Sequence, residues 1–450
     1  MTTAPRIVRA DRLDAPARVP VAIVGGGACG LVAAIALRDA GVDCVVLERD
    51  ATSSGSTALS SGFIPAAGTR VQRQLGIADS PEVFAKDVMA KAHGTAAPHL
   101  VHAYTQACGP AIDRLGGHGL QFEVLTNFLY PGHSTHRMHS LPERTGAALV
   151  GALHRAAVAA GADILGSARV SELVVDSDDR VLGLGIERPN GEIERIGCDV
   201  LLLACNGFGG NAQLVRELLP EMRDAIFAGH PGNDGSAIVW GRALGAGLAD
   251  LGGYQGHGSW VVPQGALMTW AVMMQGGVQL NARGERFHDE TQGYSEAAVD
   301  VLAQPSGIAW NVFGDAQLAL AREFPDFREA EAAGALRTAA DRTQLAAIIG
   351  CDPAALAPEI ERFGPPFHAV RVTGALFHTQ GGLDIDAQCR VRRTDGTTFP
   401  NLLAAGGAAR GVSGNAVWGY LSGNGLLSAV AGGWIAAHTA ARQLSTVPTP

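Results

Sequence analysis

The sequence predicts an α/β fold, a parallel sheet with helices plus a small antiparallel meander, carrying an inserted α+β domain. Three observations predict it. The apolar runs Val21–Val24 and Val45–Leu47 flank a glycine-rich turn and an alanine-rich stretch, the order of a β-α-β unit. Segments Ser171–Asp176, Val181–Arg188 and Glu192–Cys198 read as short strands joined by the turns Asp178-Asp-Arg180 and Pro189-Asn-Gly191. From about residue 226 to 365 the glycine-rich punctuation gives way to Trp, Met and short strands, and it returns after 370. The boundaries that follow are 20–225, an insertion at 226–365, and 366–445.

The first unit begins at Val21-Ala-Ile-Val-Gly25-Gly-Gly27-Ala-Cys-Gly30. Four apolar residues read as a buried parallel strand. Gly25 makes the tight turn, Gly27 lets the backbone approach a pyrophosphate, and Gly30 lets the next helix pack on the strand. The helix Leu31–Ala40 points its partly positive N-terminus at the phosphates. Glu48 ends the next strand, where a carboxylate binds ribose hydroxyls. The unit is therefore Rossmann-like and built for an adenine dinucleotide. A glycine-rich turn without ligand is the plainer reading, and the full order of strand, glycines, helix, strand and acid speaks against it.

Later elements follow in order. Residues 80–118 read as mostly helical and 145–160 as an amphipathic alanine-rich helix. Asp199–Ala204 is a buried strand ending at Cys205-Asn-Gly207-Phe-Gly-Gly-Asn211, a second strand–glycine punctuation. The insertion holds helices at Asp315–Arg322 and Arg342–Ile349. Met1–Arg18 is charged, lacks the apolar segment of a secretory signal, and reads as a disordered lead-in.

Composition narrows the function classes. With 450 residues there is room for two or three cores, and 59 glycines suit close backbone–ligand approach. The net charge of −9 argues against a nucleic-acid surface. No apolar run reaches the ~18 residues of a membrane span, and Leu426–Ala437, the longest, reads as a packed helix. The seven cysteines form no CxxC pair, so no iron–sulfur cluster, zinc site or covalent haem is expected. Unpatterned thiols fit a cytoplasmic location.

The chain resembles the flavoprotein family of soluble fumarate reductases, succinate dehydrogenase flavoprotein subunits and 3-ketosteroid Δ1-dehydrogenases over roughly residues 20–440. The resemblance rests on Ser56-Thr57-Ala-Leu-Ser60-Ser61-Gly62, Ser134-Thr-His-Arg137-Met-His139 and Ala204-Cys-Asn-Gly-Phe-Gly-Gly-Asn211. It rests also on Asn233-Asp234-Gly235 with Gln255-Gly-His257, and on Asn281-Ala-Arg-Gly284-Glu-Arg286-Phe287-His-Asp-Glu290. His378-Thr-Gln-Gly-Gly382-Leu-Asp-Ile-Asp386 and Asn401-Leu-Leu-Ala-Ala-Gly406-Gly407 complete it. It implies FAD, held by Gly25, Gly27, Gly30, Glu48, Arg49, Ser56, Thr57, Ser61, Gly62, Ala204, Asn206, Gly207, Asn211, Asp234, Gly406, Gly407, Asn424 and Leu426. Covalently flavinylated members carry histidine where this chain has Ser56, so the resemblance implies non-covalent FAD.

Two departures shape the functional expectation. Where fumarate reductases place an arginine proton donor, this chain has Tyr294, and where they open RLGGN it has Tyr420-Leu-Ser-Gly423-Asn424. Trp270 and Met273 stand at the family's relay Glu and Arg. Ketosteroid dehydrogenases carry tyrosines at both key positions, which implies a desaturase acting on a cyclic ketone. Such a reaction needs a base for the α-proton, a donor to the carbonyl and a hydride acceptor. The expected roles are Tyr294 as base, Tyr420 with a Gly423 or Asn424 N–H as carbonyl polariser, and His378 as a substrate ligand. A phenol with pKa near 10 needs a hydrogen bond or positive charge to act as a base.

Plainer readings stand beside each role. Tyr294 can be an ordinary half-buried tyrosine, Tyr420 can pack beside Trp418, and His378 can be a satisfied structural histidine. Arg137 and His139 are expected near flavin or substrate, Arg286 and Glu290 as an ion pair, and Arg410 is a candidate for a substrate carboxylate. The apolar set Trp260, Met268, Trp270, Met273 and Met274 suits either a ring-binding pocket or a domain core. The alternatives are a fumarate- or urocanate-type C=C reductase, an electron-transfer flavoprotein subunit, and a flavin-binding protein without catalysis. The electron acceptor is left open among a quinone, a carrier protein and oxygen.

Overall fold

The computed structural model describes residues 4–127 and 129–445. The chain forms two compact units, the first from the N-terminus to Leu214, Gly229–Tyr254 and His378 onward, the second from Val215–Ala228 and Gln255–Phe377. The long strand Phe367–Thr379 carries the chain from the second back into the first. Gly229–Tyr254 belongs to the first unit because its helix Ser236–Leu244 lies under the strand Gly382–Leu383, with Gly241 facing the Leu383 side chain.

In the first unit a nine-stranded sheet has a parallel heart. Asp163–Leu165, Cys44–Leu47, Arg18–Val24, Ile193–Leu203 and Thr398–Ala404 run side by side in that order. The four central residues of each inner strand are apolar on both faces, as a sheet covered on both sides requires. The meander exists: Arg169–Val175 and Val181–Glu187 pair antiparallel, and the latter pairs with Ile193–Gly197. Its last strand and the buried Asp199–Leu203 are one continuous strand. Arg6–Arg9, expected to be disordered, is an edge strand pairing parallel with Glu172–Val175. Arg6 also donates to the buried Glu172 carboxylate, so the lead-in is fastened by both backbone and charge.

The helix Ala28–Asp39 is buried from Ala28 through Leu37. It is covered by the helix Asn424–Ser445, and Gly433 makes the approach possible, since a Cβ there would meet the Cys29 carbonyl. Burying Leu31, Ile35 and Leu37 contributes about 1.5–3 kcal/mol each.

The second unit is built on a seven-stranded sheet. Phe367–Thr379 lies between Tyr254–Val261 and Ile308–Phe313, with Leu336–Ala339 and Ile226–Phe227 also paired to it. Alternate residues face two cores. One contains Met268, Trp270, Met273, Val370 and Val372, and the other Val278, Val312, Leu345, Phe367 and Ala369. Met268, Trp270 and Met273 are thus core residues of this unit.

Candidate functional site

The cradle in the first unit is built from backbone turns. Gly25 has φ +111°, and a Cβ there would fall 2.5 Å from the Ala204 carbonyl oxygen. At Gly30 a Cβ would collide with the Gly25 carbonyl, so this residue seals helix to strand. Gly27 differs: its φ of −78° suits any residue, and the only atom a Cβ would meet is Thr57 Oγ1 at 3.3 Å. The space over Gly27 is therefore open at the helix N-terminus. Glu48 is buried, and its carboxylate accepts from the Gly26 N–H at 2.8 Å and the Asp50 N–H at 3.0 Å. Burial pushes its pKa up, and the two N–H donors oppose that. Thr57 Oγ1 accepts from the Ala28 N–H at 3.0 Å, pinning the helix start.

Around this turn the other expected cofactor residues take varied places. Ser56 Oγ accepts from the side-chain amides of Asn206 (2.8 Å) and Asn233 (2.9 Å). Asn206 has φ +65°, and Gly207 is closed in by Thr379 and Gly407. Gly406 has φ +60° and opens the turn after the strand Thr398–Ala404, while Ala204 N–H donates to the Val24 carbonyl. Gly62, with φ +71°, is fitted against the Thr145 carbonyl, and Ser61 beside it is exposed. Asn211 caps the helix Ala212–Leu218 by accepting from Gln213 and Leu214 N–H, and it donates to the Asp234 carbonyl. Asp234 accepts from Ser236 N–H (3.0 Å) and lies 3.9 Å from both Arg49 and Arg169. Asn211 and Asp234 thus have roles inside the protein itself. Leu426 packs, partly buried, against the main core.

Also in the first unit, His378 and Tyr420 meet edge to face, with ring centroids 5.5 Å apart. Burial drops the His378 pKa to about 4, so the imidazole is neutral. Its Nδ1 faces the Gln380 amide at 3.1 Å, and Gly425 gives it room, since a Cβ there would stand 2.8 Å from Cε1. Asn424 is fully buried; its Nδ2 donates to Ser413 Oγ at 2.9 Å, and its Oδ1 has no donor among the described residues. The Asn424 N–H is spent on the Leu421 carbonyl (3.0 Å), which removes it from the expected pair of carbonyl donors. Arg410 is taken by Asp250 (2.6 Å) and Asp384 (3.4 Å) and is not a free carboxylate receptor. Arg137 is buried between Asp79 and Asp87 with His133 alongside, so its charge is spent within the protein. His139 is fixed between the Arg137 carbonyl and the Thr69 hydroxyl.

In the second unit Tyr294 opens the helix Tyr294–Leu302, preceded by Gly293 at φ +134°. Its ring stacks on His257, centroids 4.8 Å apart and planes at 18°. Trp270 meets His257 edge-on at 5.8 Å, and Phe377 lies 5.8 Å away. His257 Nδ1 accepts from the Ser259 N–H at 3.1 Å, which puts the ring proton on Nε2. Burial lowers its pKa to about 3. His257 therefore supplies no cation to the phenol. The helix N-terminus does supply partial positive charge, favouring an anion in its first turn by about 0.3–1 kcal/mol. Arg286 pairs with the buried Glu290 at 2.9 Å, as expected, and Glu290 also accepts from Gln279 N–H. His257 was visible in the Gln255-Gly-His257 motif, but its stacking on Tyr294 depends on a strand and a helix brought together only by folding. Among the described residues no cluster of His, Cys, Asp or Glu could hold a metal ion, and no helix is long and apolar enough to cross a membrane.

Comparison with known proteins agrees with this cradle. The FAD binding domain family matches residues 20–426. An NADH:fumarate oxidoreductase of Klebsiella pneumoniae is 27% identical over 454 residues, covering 95% of this chain and 48% of that protein. The chain thus spans about half the length of that relative. A fumarate reductase (cytochrome) of Shewanella frigidimarina is 27% identical over 451 residues, covering 94% and 77%. Among solved structures, a 3-ketosteroid-Δ4-(5α)-dehydrogenase from Rhodococcus jostii has a TM-score of 0.77 at 23% identity, covering 95% and 98%.

Proposed function

Since the chain belongs to the FAD-binding domain family, and its open Gly27 turn, buried Glu48 and Asn424 fit that cofactor, we propose that it is an FAD-dependent dehydrogenase forming an α,β-unsaturated ketone from a cyclic ketone. Ser56, where covalently linked relatives carry histidine, fits FAD held without a covalent bond. Glu48 would hold the ribose, the Gly25–Gly30 turn the pyrophosphate, and the unpartnered Asn424 Oδ1 would take an N–H of the ring system. Bound flavin supplies the two-electron acceptor.

The observation that carries the reading is the surroundings of Tyr294. The phenol stacks on a neutral imidazole, in an aromatic group with Trp270 and Phe377. The motif arginines Arg286 and Arg410 are occupied by carboxylates. This favours a hydrocarbon ring over a dicarboxylate. Tyr294, ionised to the phenolate that the helix N-terminus favours, takes the proton from the carbon next to the carbonyl and becomes a neutral phenol. Tyr420 donates its O–H to the carbonyl oxygen as negative charge develops there. The β C–H leaves as hydride, and the C=C bond forms. His378, neutral and beside Tyr420, orients that phenol or the substrate.

The fumarate-reductase relatives favour a second reading, reduction of an unsaturated acid, with Tyr294 giving a proton instead of taking one. Anaerobic mixing separates the two. Oxidised protein should lose its flavin absorbance with a cyclohexanone-type ketone, and Tyr294→Phe should slow this by about 100- to 10,000-fold without releasing FAD. Reoxidation of dithionite-reduced protein by fumarate or urocanate, with no bleaching by any ketone, overturns the dehydrogenase in favour of the reductase.

A further inference from the structure

The second unit contains a cavity of about 530 Å³ that none of the roles above uses. Its floor is one face of the sheet. On the strand Phe367–Thr379, Arg371 lies opposite Trp310 and Ala369 opposite Arg337. Residues directly opposite and alternate residues share a face, so Trp310, Arg371 and Arg337 stand together on the side that buries Phe367 and Val312. The core of that face ends at Ile349, and beyond it the cavity opens. Both arginines are exposed, and neither guanidinium has a hydrogen-bonded or ion-paired partner among the described residues. By contrast Arg137, Arg286 and Arg410 are each matched to carboxylates. Two unneutralised cations on neighbouring strands repel each other, and an anion relieves that repulsion. Trp310, half-buried, offers an aromatic face, and Ile308 extends the apolar wall. Gln264 lines the cavity as well, and its buried Oε1 has no donor among the described residues.

We propose that this cavity is a binding site for a small organic anion carrying a flat ring, its carboxylate or phosphate held by Arg337 and Arg371 and its ring laid on Trp310. The volume lies within the ~300–1,000 Å³ range of small-molecule sites, and paired guanidinium groups suit the oxygens of a carboxylate or phosphate. The proposal does not depend on the reaction proposed above. Titration calorimetry on the FAD-loaded protein tests it with four probes: AMP, phthalate, inorganic phosphate and adenosine. AMP or phthalate should bind with Kd of about 1 mM or tighter, at least about tenfold more tightly than phosphate or adenosine. Which of the two wins tells phosphate from carboxylate. The double variant Arg337→Gln/Arg371→Gln should weaken binding at least about tenfold with the flavin spectrum unchanged, and Arg337→Lys/Arg371→Lys should retain part of it. Trp310→Leu should erase the preference for a ring. The proposal falls if neither ring-bearing anion saturates the wild type, if phosphate binds as tightly as they do, or if binding survives the double glutamine variant.

Discussion

Gly27 and Gly30 stand on one turn, yet only Gly30 is closed in by the protein itself. A Cβ at Gly30 would sit inside the van der Waals radius of the Gly25 carbonyl, so Gly30→Ala must push helix from strand. That variant should lose both stability and cofactor, by about 1–3 kcal/mol in the apoprotein. Gly27→Ala meets only Thr57 Oγ1 at 3.3 Å and keeps an allowed φ. Its apoprotein should melt within about 0.5 kcal/mol of wild type, while the methyl group fills the space proposed for a pyrophosphate and FAD affinity falls at least about tenfold. Urea melts of the two apoproteins and flavin fluorescence titrations separate these outcomes. Equal loss of stability in both variants would mean that the turn is merely tight. Glu48→Gln belongs beside them. It keeps one acceptor oxygen for Gly26 N–H but removes the charge, and it should weaken FAD binding by about 1.5–3 kcal/mol, read by the same titration.

At the scale of elements, the close helix pair Ala28–Asp39 and Asn424–Ser445 holds the cradle turn in place. Gly433 faces the Cys29 carbonyl, so Gly433→Ala should separate the pair and cost about 1–3 kcal/mol, visible as a lower urea midpoint and loss of FAD. A midpoint unchanged by this substitution would show that the approach is not strained. The β-α-β unit and the meander were legible in the sequence because each is local: apolar runs, turn residues and glycine spacing lie within a few residues of one another. The edge strand Arg6–Arg9 was not legible. Its partner, Glu172–Val175, is remote in sequence, and a tetrapeptide with arginine at both ends reads as coil until that partner is known. The pairing of Arg137 was not legible for the same reason, since its carboxylate partners Asp79 and Asp87 lie on other segments. The motif that contains it carries no sign that the charge is spent. Tyr294 and His257 were both visible as motif residues, and only the fold stacks one on the other.

Over the whole molecule, burial pushes histidine pKa values down, most strongly at four rings. His133, His139 and His378 fall to about 4 and His257 to about 3. For two of them the hydrogen bonds fix the neutral tautomer. His133 donates from Nε2 to the Ser422 carbonyl while Nδ1 accepts from Arg137, and His139 donates from Nδ1 to the Arg137 carbonyl while Nε2 accepts from Thr69. A second proton would set N–H against an existing donor. In the unfolded chain these rings titrate near ~6.5. Between that value and about 4 the unfolded state binds protons that the folded state refuses, so stability is whole above pH ~6.5 and drains away as pH falls. Each histidine contributes up to about 1.4 kcal/mol per pH unit across the window. Carboxylates held low by partners, such as Asp39 and Glu172, change stability in the same direction, but only as pH drops below their unfolded values near ~4. The interval from pH 6.5 to 5 therefore lies above these carboxylates and inside the histidine window, where the raised carboxyls of Glu48 and Asp326 act in the opposite direction. The urea midpoint of the FAD-loaded protein should be level from pH 8 to 7 and fall by at least about 1 kcal/mol in stability between pH 6.5 and 5. His139→Gln retains a side-chain donor and acceptor but cannot titrate, so its midpoint should fall less steeply over that interval even if it starts lower. A wild-type midpoint that holds level down to pH 5 would mean that these rings accept protons in the folded state, against the buried contacts that fix them as neutral.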